Sequence, residues 1–299
     1  MKACAHLFFV LGLAILARPV FGVIDINSDD SVALAPTGTD APWNYVARLD
    51  NHFGARASGV YLGNRYILTA NHVDNDMSNA FFNGANHAVD TTFTPVTFPN
   101  ADLRLIRIVS DPGLPALPLA RISDTTFNQP ATMIGWGVGK GTAITNQGWS
   151  WGDDPTRLER WGTSITLGNY KTDPVSGFTF LQTTFDITMG AQTGQLTGGD
   201  SGGGLFENID GTWTLVGISS DVDTDNAALY DQDSSTPGFQ PDHSYFQSVA
   251  QYTNQIEAIV MPPTIVPVMP RWGFLVLAAL LVTTAARFLP GTPMASRSH

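Results

Sequence analysis

Across residues 23–261 the apolar residues come in short runs closed by turn formers, and this pattern rules out most folds. Gly59-Val60-Tyr61-Leu62, Tyr66-Ile67-Leu68-Thr69, Asp102 to Val109, Ala131 to Ile134 and Thr214 to Ile218 are all of strand length. Turn residues such as Gly63-Asn64 separate them, the signal of antiparallel hairpins. The 29 Gly and 19 Pro spread along the chain suit many such turns, and few stretches have the Ala, Leu, Glu and Lys character of long helices. Only Tyr245 to Val260 reads as helical, with Phe246, Val249, Tyr252, Ile256 and Ile259/Val260 recurring every three or four residues. The expectation is an all-β body closed by one C-terminal helix, without internal repeats or a long internal linker.

The two ends read differently. Residues 1–22 carry Lys2, an apolar run from Leu7 to Ala17 and then Val20-Phe21-Gly22, the order of a secretory signal cut after Gly22. The run is too short to span a bilayer, and the alternative is an N-terminal core helix. At the other end Pro262-Pro263, Pro267 and Pro270 make a stiff, extended linker. Arg271-Trp272-Gly273, an apolar stretch from Phe274 to Ala286, and Arg287 follow. That order resembles the C-terminal sorting signals of bacterial surface proteins, which hold a protein in the membrane until a dedicated enzyme processes it. About a dozen residues after Arg287 depart from the pattern, and a plain membrane anchor or a packed helix are the other readings. The chain divides on this reading into a signal peptide (1–22), a main domain (23–261) and a linker with an anchor or sorting segment (262–299). An exported location follows: periplasmic, cell-surface or secreted.

The formal net charge is −11, and −13 once Lys2 and Arg18 leave with the leader. No basic face is visible, so nucleic acid is not an expected partner. The single cysteine, Cys4, lies in the leader, so the mature body has no disulfide. A body of roughly 240 residues can hold its core without one.

Chemistry concentrates in three places. The first is Gly198-Gly199-Asp200-Ser201-Gly202-Gly203-Gly204. A serine hydroxyl needs a base to become a nucleophile, and attack on a carbonyl creates an oxyanion that needs preoriented N–H donors. Glycines around a serine permit the backbone to turn such donors toward one point, here the N–H groups of Gly199 and Ser201. The second is Tyr66 to Val73, an apolar run that delivers His72 at its end, where a rigid scaffold can hold an imidazole as general base. The third is Asn100 to Ile108, where Asp102 heads an alternating run and its carboxylate can orient that imidazole. Asp90 and Asp111 compete but head no such run. His6, His52, His87, His243 and His299 lack the setting of His72.

Taken together, His72, Asp102 and Ser201 stand in the chain order of the trypsin/chymotrypsin serine proteases. The resemblance covers roughly residues 42–260. Pro42-Trp43-Asn44-Tyr45-Val46 and Ser58 to Leu62 look like the family's opening strands. Leu68-Thr69-Ala70-Asn71-His72 is similar to its histidine motif, with Asn71 where alanine is usual, and Ile134-Gly135-Trp136-Gly137 resembles its mid-chain motif. Gly199 to Gly203 matches the serine motif, Leu215 to Ser220 the strand that pairs with substrate backbone, and Tyr245 to Ile259 the closing helix. The resemblance implies two six-stranded antiparallel β-barrels with a C-terminal α-helix. It implies a serine endopeptidase acting on protein or peptide substrates through an acyl-enzyme, with no cofactor and no metal. His72, Asp102 and Ser201 would be the triad, and the Gly199 and Ser201 amides the oxyanion hole. Gln195 would floor the substrate pocket, with Ser220 and Val222 along its wall.

Two departures stand out. The family's Ile-Val-Gly-Gly N-terminus, whose amine pairs with the aspartate before the serine, is absent, leaving the Val23 amine or an internal arginine as partner for Asp200. Gln195 is not acidic, so cleavage after Arg or Lys by way of the pocket floor is not expected. The acids Asp221, Asp223, Asp225, Asp231 and Asp233 could ligate calcium, but Asn226 and Gln232 sit where such loops want Gly and Glu, which favours a solvated loop. Gly199 to Gly203 also fits the nucleophile elbow of esterases and lipases, but those need acid and histidine after the serine. An inactive homologue serving as a surface binding module is the non-enzymatic alternative.

Overall fold

The computed structural model of the protein describes residues 23–26, 42–124, 128–172, 177–223, 226–231 and 240–261. The leader at 1–22, the segment at 262–299, and parts of the acidic loop at 224–225 and 232–239 lie outside the described residues.

The chain opens with β1 (Ile24–Asp25). Seven strands follow: β2 (Val46–Asn51), β3 (Gly54–Gly63), β4 (Tyr66–Thr69), β5 (Asn79–Phe82), β6 (Ala85–Ala88), β7 (Val96–Thr97) and β8 (Arg104–Arg107). The second half holds β9 (Pro130–Gly135), β10 (Lys140–Ile144), β11 (Gly148–Trp151), β12 (Arg160–Ile165), β13 (Leu167–Thr172) and β14 (Thr179–Thr184). It continues with β15 (Gly194–Gln195), β16 (Gly204–Ile209), β17 (Thr212–Val222), β18 (Ala227–Leu229), β19 (His243–Ser248) and helix α1 (Thr253–Val260).

The expected pair of six-stranded barrels takes the form of two antiparallel sheets of seven strands. The first has the order β6-β5-β2-β3-β4-β8-β7 and the second β12-β9-β16-β17-β19-β14-β13. β10, β11 and β18 form a third small sheet, and β1 pairs with β15. The short apolar runs become strands because their turns demand it: Gly63, Asn64 and Arg65 all have positive φ in the tight connection between β3 and β4. One continuous apolar core joins both large sheets, with Val46, Val60 and Leu105 from the first and Ile134, Leu205 and Phe206 from the second. At about 25 cal/mol per Å² of apolar surface, such burial is the main stabilising term of a body without disulfides.

The helical expectation over Tyr245 to Val260 needs correction. Residues 243–248 form β19, hydrogen-bonded between β17 and β14, and only Thr253–Val260 is helical. Ser244 through Ser248 are all buried, so a central strand shows no two-residue alternation. A strand followed by a turn happened to place its apolar residues at helical spacing. Helix α1 does bury Ile256 and Val260 as expected.

Candidate active site

The first sheet supplies the base and the acid. β4 ends at Thr69 and delivers His72 onto the following turn, and Asp102 stands two residues before β8. Asp102 Oδ2 lies 2.7 Å from His72 Nδ1, and Asp102 Oδ1 accepts the His72 backbone N–H at 3.0 Å. Ser220 Oγ donates to Asp102 Oδ2 at 2.5 Å, and the Asp102 amide is itself held by Gln247 Oε1 at 3.1 Å. The second sheet supplies the serine, between β15 and β16, with Ser201 Oγ 2.9 Å from His72 Nε2. The structure thus brings together His72, Asp102 and Ser201 from sequence separations of 30 and 129 residues.

Electrostatics follow from this placement. The hydrogen bond to Asp102 raises the His72 pKa, burial opposes it, and the charges of Asp102 and Asp221 add to the rise. Burial pushes the Asp102 carboxyl up, but the hydrogen bonds from His72 and Ser220 and the charge of His72 outweigh it and hold the pKa below the ordinary value. Asp102 is therefore an anion that aims Nδ1–H and leaves Nε2 facing the serine.

The serine loop is pinned from the first sheet. The Ser58 amide in β3 donates to the Ser201 carbonyl at 2.8 Å, and Ser58 Oγ donates to the Gly199 carbonyl at 2.9 Å. A Cβ on Gly202 (φ +87°) would collide with the Ser58 carbonyl and the Thr69 hydroxyl, so only glycine permits this approach. Within the loop, the amides of Asp200, Gly202 and Gly203 donate to backbone carbonyls. Among the described residues, the amides of Gly199 and Ser201 meet no acceptor. Two idle N–H groups flanking the nucleophile are the arrangement an oxyanion requires. Arg157 backs this corner, donating to the Gly198 carbonyl at 2.8 Å while Asp154 takes the rest of its guanidinium.

The Gly135-Trp136-Gly137 motif gains a physical reason. Asp200 is fully buried, and a Cβ on Gly135 or Gly137 would strike its carboxylate. The Gly137 amide donates to Asp200 Oδ1 at 2.7 Å and the Thr197 amide to Oδ2 at 2.8 Å. Burial raises the Asp200 pKa, and these donors together with the charge of buried Arg160 counter the rise. Trp136 between the two glycines reaches the first sheet, donating from Nε1 to the Val46 carbonyl at 3.3 Å.

A cleft of about 180 Å³ opens beside Ser201 and His72, lined by Leu196, Thr197 and Gly198, by Trp151 packed against Gly198, and by Ser220 to Val222 at the end of β17. A larger cavity of about 370 Å³, at the far end of β16 and β17 around Glu207 and Trp213, does not touch the serine or histidine. Ser220 and Val222 line the cleft, as expected, although the Ser220 hydroxyl is engaged with Asp102. Gln195 does not line it. Its side chain is fully buried, donating to the His243 carbonyl at 3.2 Å and accepting from Ser244 Oγ at 2.9 Å, because β15 is drawn into pairing with β1. Among the described residues, no group of His, Cys, Asp and Glu is arranged to hold a metal ion.

Sequence reasoning missed several contributors. Arg104 is buried and clamps the loop after His72, donating to the Val73 carbonyl, to the Asp74 carbonyl at 2.7 Å and to the Asn75 side chain. An arginine between the apolar Leu103 and Leu105 was the available signal, because a buried charge is found only where partners await it. Ser58, Gln247 and Trp151 carried no such mark.

The matching family model is described as a trypsin-like peptidase domain and spans residues 57–218, more than half of the chain. No curated protein sequence matches. Among solved structures, the one described as the atomic resolution structure of HBP superimposes with a TM-score of 0.52 at 14% identity, covering 78% of this chain and 98% of its own. Kallikrein-related peptidase 10 in complex with Zn2+ gives 0.50 at 17% identity, covering 76% of this chain and 100% of its own. At such identities these likenesses speak to the fold, and the fold is the two-barrel one that the serine, histidine and aspartate positions call for. The chain belongs to the trypsin-like peptidase domain family, as a protease of trypsin fold.

Proposed function

We propose that the protein is a serine endopeptidase in which Ser201 is the nucleophile, His72 the general base and acid, and Asp102 the orienting anion. The observation that carries this reading is the chain of contacts Asp102 Oδ2–His72 Nδ1 (2.7 Å) and His72 Nε2–Ser201 Oγ (2.9 Å), next to two unengaged amides. Ser201 Oγ attacks the peptide carbonyl as its proton moves to His72 Nε2. The amides of Gly199 and Ser201 take the oxyanion, the C–N bond breaks, and the leaving amine receives the proton from His72. Water then attacks the acyl-enzyme by the same path, releasing the acid and restoring the serine.

Export and activation join in this proposal. Cleavage after Gly22 would free the Val23 amine, and Val23 is already buried, its Cγ1 3.2 and 3.1 Å from where a Cβ on Gly162 or Gly194 would lie. Gly162 pairs with Met133 and Arg160 with Gly135, so Val23 packs against a strand position two residues along from the Gly135 backbone that faces Asp200. The proposed leader, the Pro-rich linker and the C-terminal anchor or sorting segment complete an exported protease tethered to or processed at a membrane. Among the described residues no helix is long and apolar enough to cross a membrane, and residues 262–299 lie outside them.

The test is labelling of the purified protein by a neutral fluorophosphonate. Labelling of the parent protein, with none in Ser201→Ala and a loss on the order of 10⁴–10⁶ in His72→Ala, is the expected result. Equal labelling of the parent and His72→Ala would defeat the triad.

A further inference from the structure

One wall of the cleft carries a charge that the triad does not use. The pairing of β17 with β19 skips a residue between Ser219 and Asp221, a β-bulge that leaves Ser220 as the extra residue. The bulge turns the Ser220 hydroxyl to Asp102 and brings Asp221 to the cleft lining. The neighbouring acids are consumed: Asp223 accepts from His243 and Tyr245, and Asp242 from the Leu229 amide. Asp221 is exposed, and among the described residues it accepts one hydrogen bond, from the Val222 amide to Oδ1 at 2.9 Å, with none at Oδ2. It lines the same cleft as His72 and Ser201.

A second part of the lining suits the same ligand. The Trp151 ring also lines the cleft, packed against Gly198, 3.3 Å from where a Cβ on that residue would lie. A carboxylate and an aromatic ring lining one small cleft favour a cation over a neutral or acidic group. Apart from His72 the remaining lining carries no titratable group, and Arg157, which donates to the Gly198 carbonyl, is paired with Asp154. Beyond Ile218, β17 has no strand of β16 beside it, so an extended peptide can lie along Ser220 to Val222 and pass its side chains over Asp221.

We infer that this protease, on the reading given above, selects substrates with an arginine or lysine side chain within three residues on the acyl side of the scissile bond, bound by the Asp221 carboxylate. This differs from selection at the pocket floor, where Gln195 is turned away and no acid stands.

The experiment is a peptide library randomised at those three positions, cut by the parent protein and by Asp221→Asn and Asp221→Lys, with cut sites read by mass spectrometry. Because preference is a ratio within one variant, a general loss of activity cancels. The parent should favour Arg or Lys over Ala about tenfold at one of the three positions, with the preference shrinking as salt is raised. Asp221→Asn should bring that ratio to about one, and Asp221→Lys should turn it toward Glu. A flat parent profile, or a basic preference that survives in Asp221→Asn, overturns the assignment. The neutral fluorophosphonate run alongside separates the two ideas. Labelled enzyme with no basic preference sinks the selectivity alone, while an unlabelled parent sinks the peptidase reading and this inference with it.

Discussion

The carboxylate of Asp102 gathers three donors, the His72 amide, His72 Nδ1 and Ser220 Oγ, and is nearly excluded from water. In the proposed mechanism, an anion so held stabilises the imidazolium that forms when Ser201 gives up its proton. Its replacement by Asn would keep the shape but favour the wrong tautomer, and a fall in kcat on the order of 10⁴ is the expected outcome from steady-state kinetics. The pH profile follows from the same contacts. His72 must be neutral to accept a proton, and Asp102 and Asp221 together raise its pKa against burial and Arg104. Activity should therefore fall as pH drops through a value above that of an ordinary histidine. In Asp221→Asn the acid limb of kcat/KM should move to lower pH, and a limb that stays put would show that Asp221 does not act on His72. His72, Asp102 and Ser201, which the structure brings into hydrogen-bond contact, were all picked out in the sequence by their order along the chain. Gln195 was placed by register alone. Register cannot tell which way a side chain turns, and the pairing of β15 with β1 turned this one inward.

Strands and turns decide whether those residues meet. The glycines of the two motifs are room for other groups: Gly135 and Gly137 for the Asp200 carboxylate, Gly202 for Ser58 and Thr69. A Gly137→Ala change should cost about 1–3 kcal/mol, the usual range for overpacking, read as a lower urea midpoint with unchanged slope. Arg104 links β8 to the loop after His72. Its replacement by Met should keep the fold but lower kcat more than it changes KM, since substrate contacts remain while the base loses its support. Short strands were readable from their turn residues, and β4 falls on Tyr66–Thr69 as the run suggests. β19 was not, because a strand buried on both faces carries no alternation, and its composition then passes for the start of the helix behind it.

At the scale of the molecule, one half-buried acid adds a pH dependence of its own. Burial lifts Glu159 to about 9, with a Trp43 hydrogen bond as the opposing influence. The folded state therefore keeps a proton that the unfolded state releases above about 4.5, so stability declines as pH rises between the two values. Glu159→Gln should raise Tm by about 3 °C at pH 8 and by almost nothing at pH 4, as followed by calorimetry. A further expectation follows from the proposed cleavage after Gly22: if the Val23 amine it frees supplies a charge to Asp200, a protein with that amine acetylated should be roughly tenfold less active than the free form in a peptidase assay.

The Ser58 tie has a consequence for the order in which the protein is made. It joins residues 141 apart in the chain, and the serine lies 129 residues beyond its base. Contacts of such long range form late, since the loop they close must first lose its freedom. On the proposed reading, a nascent chain that ends before residue 201 contains the base and the acid but no nucleophile, and a longer one has no pinned loop until β3 and the serine segment have met.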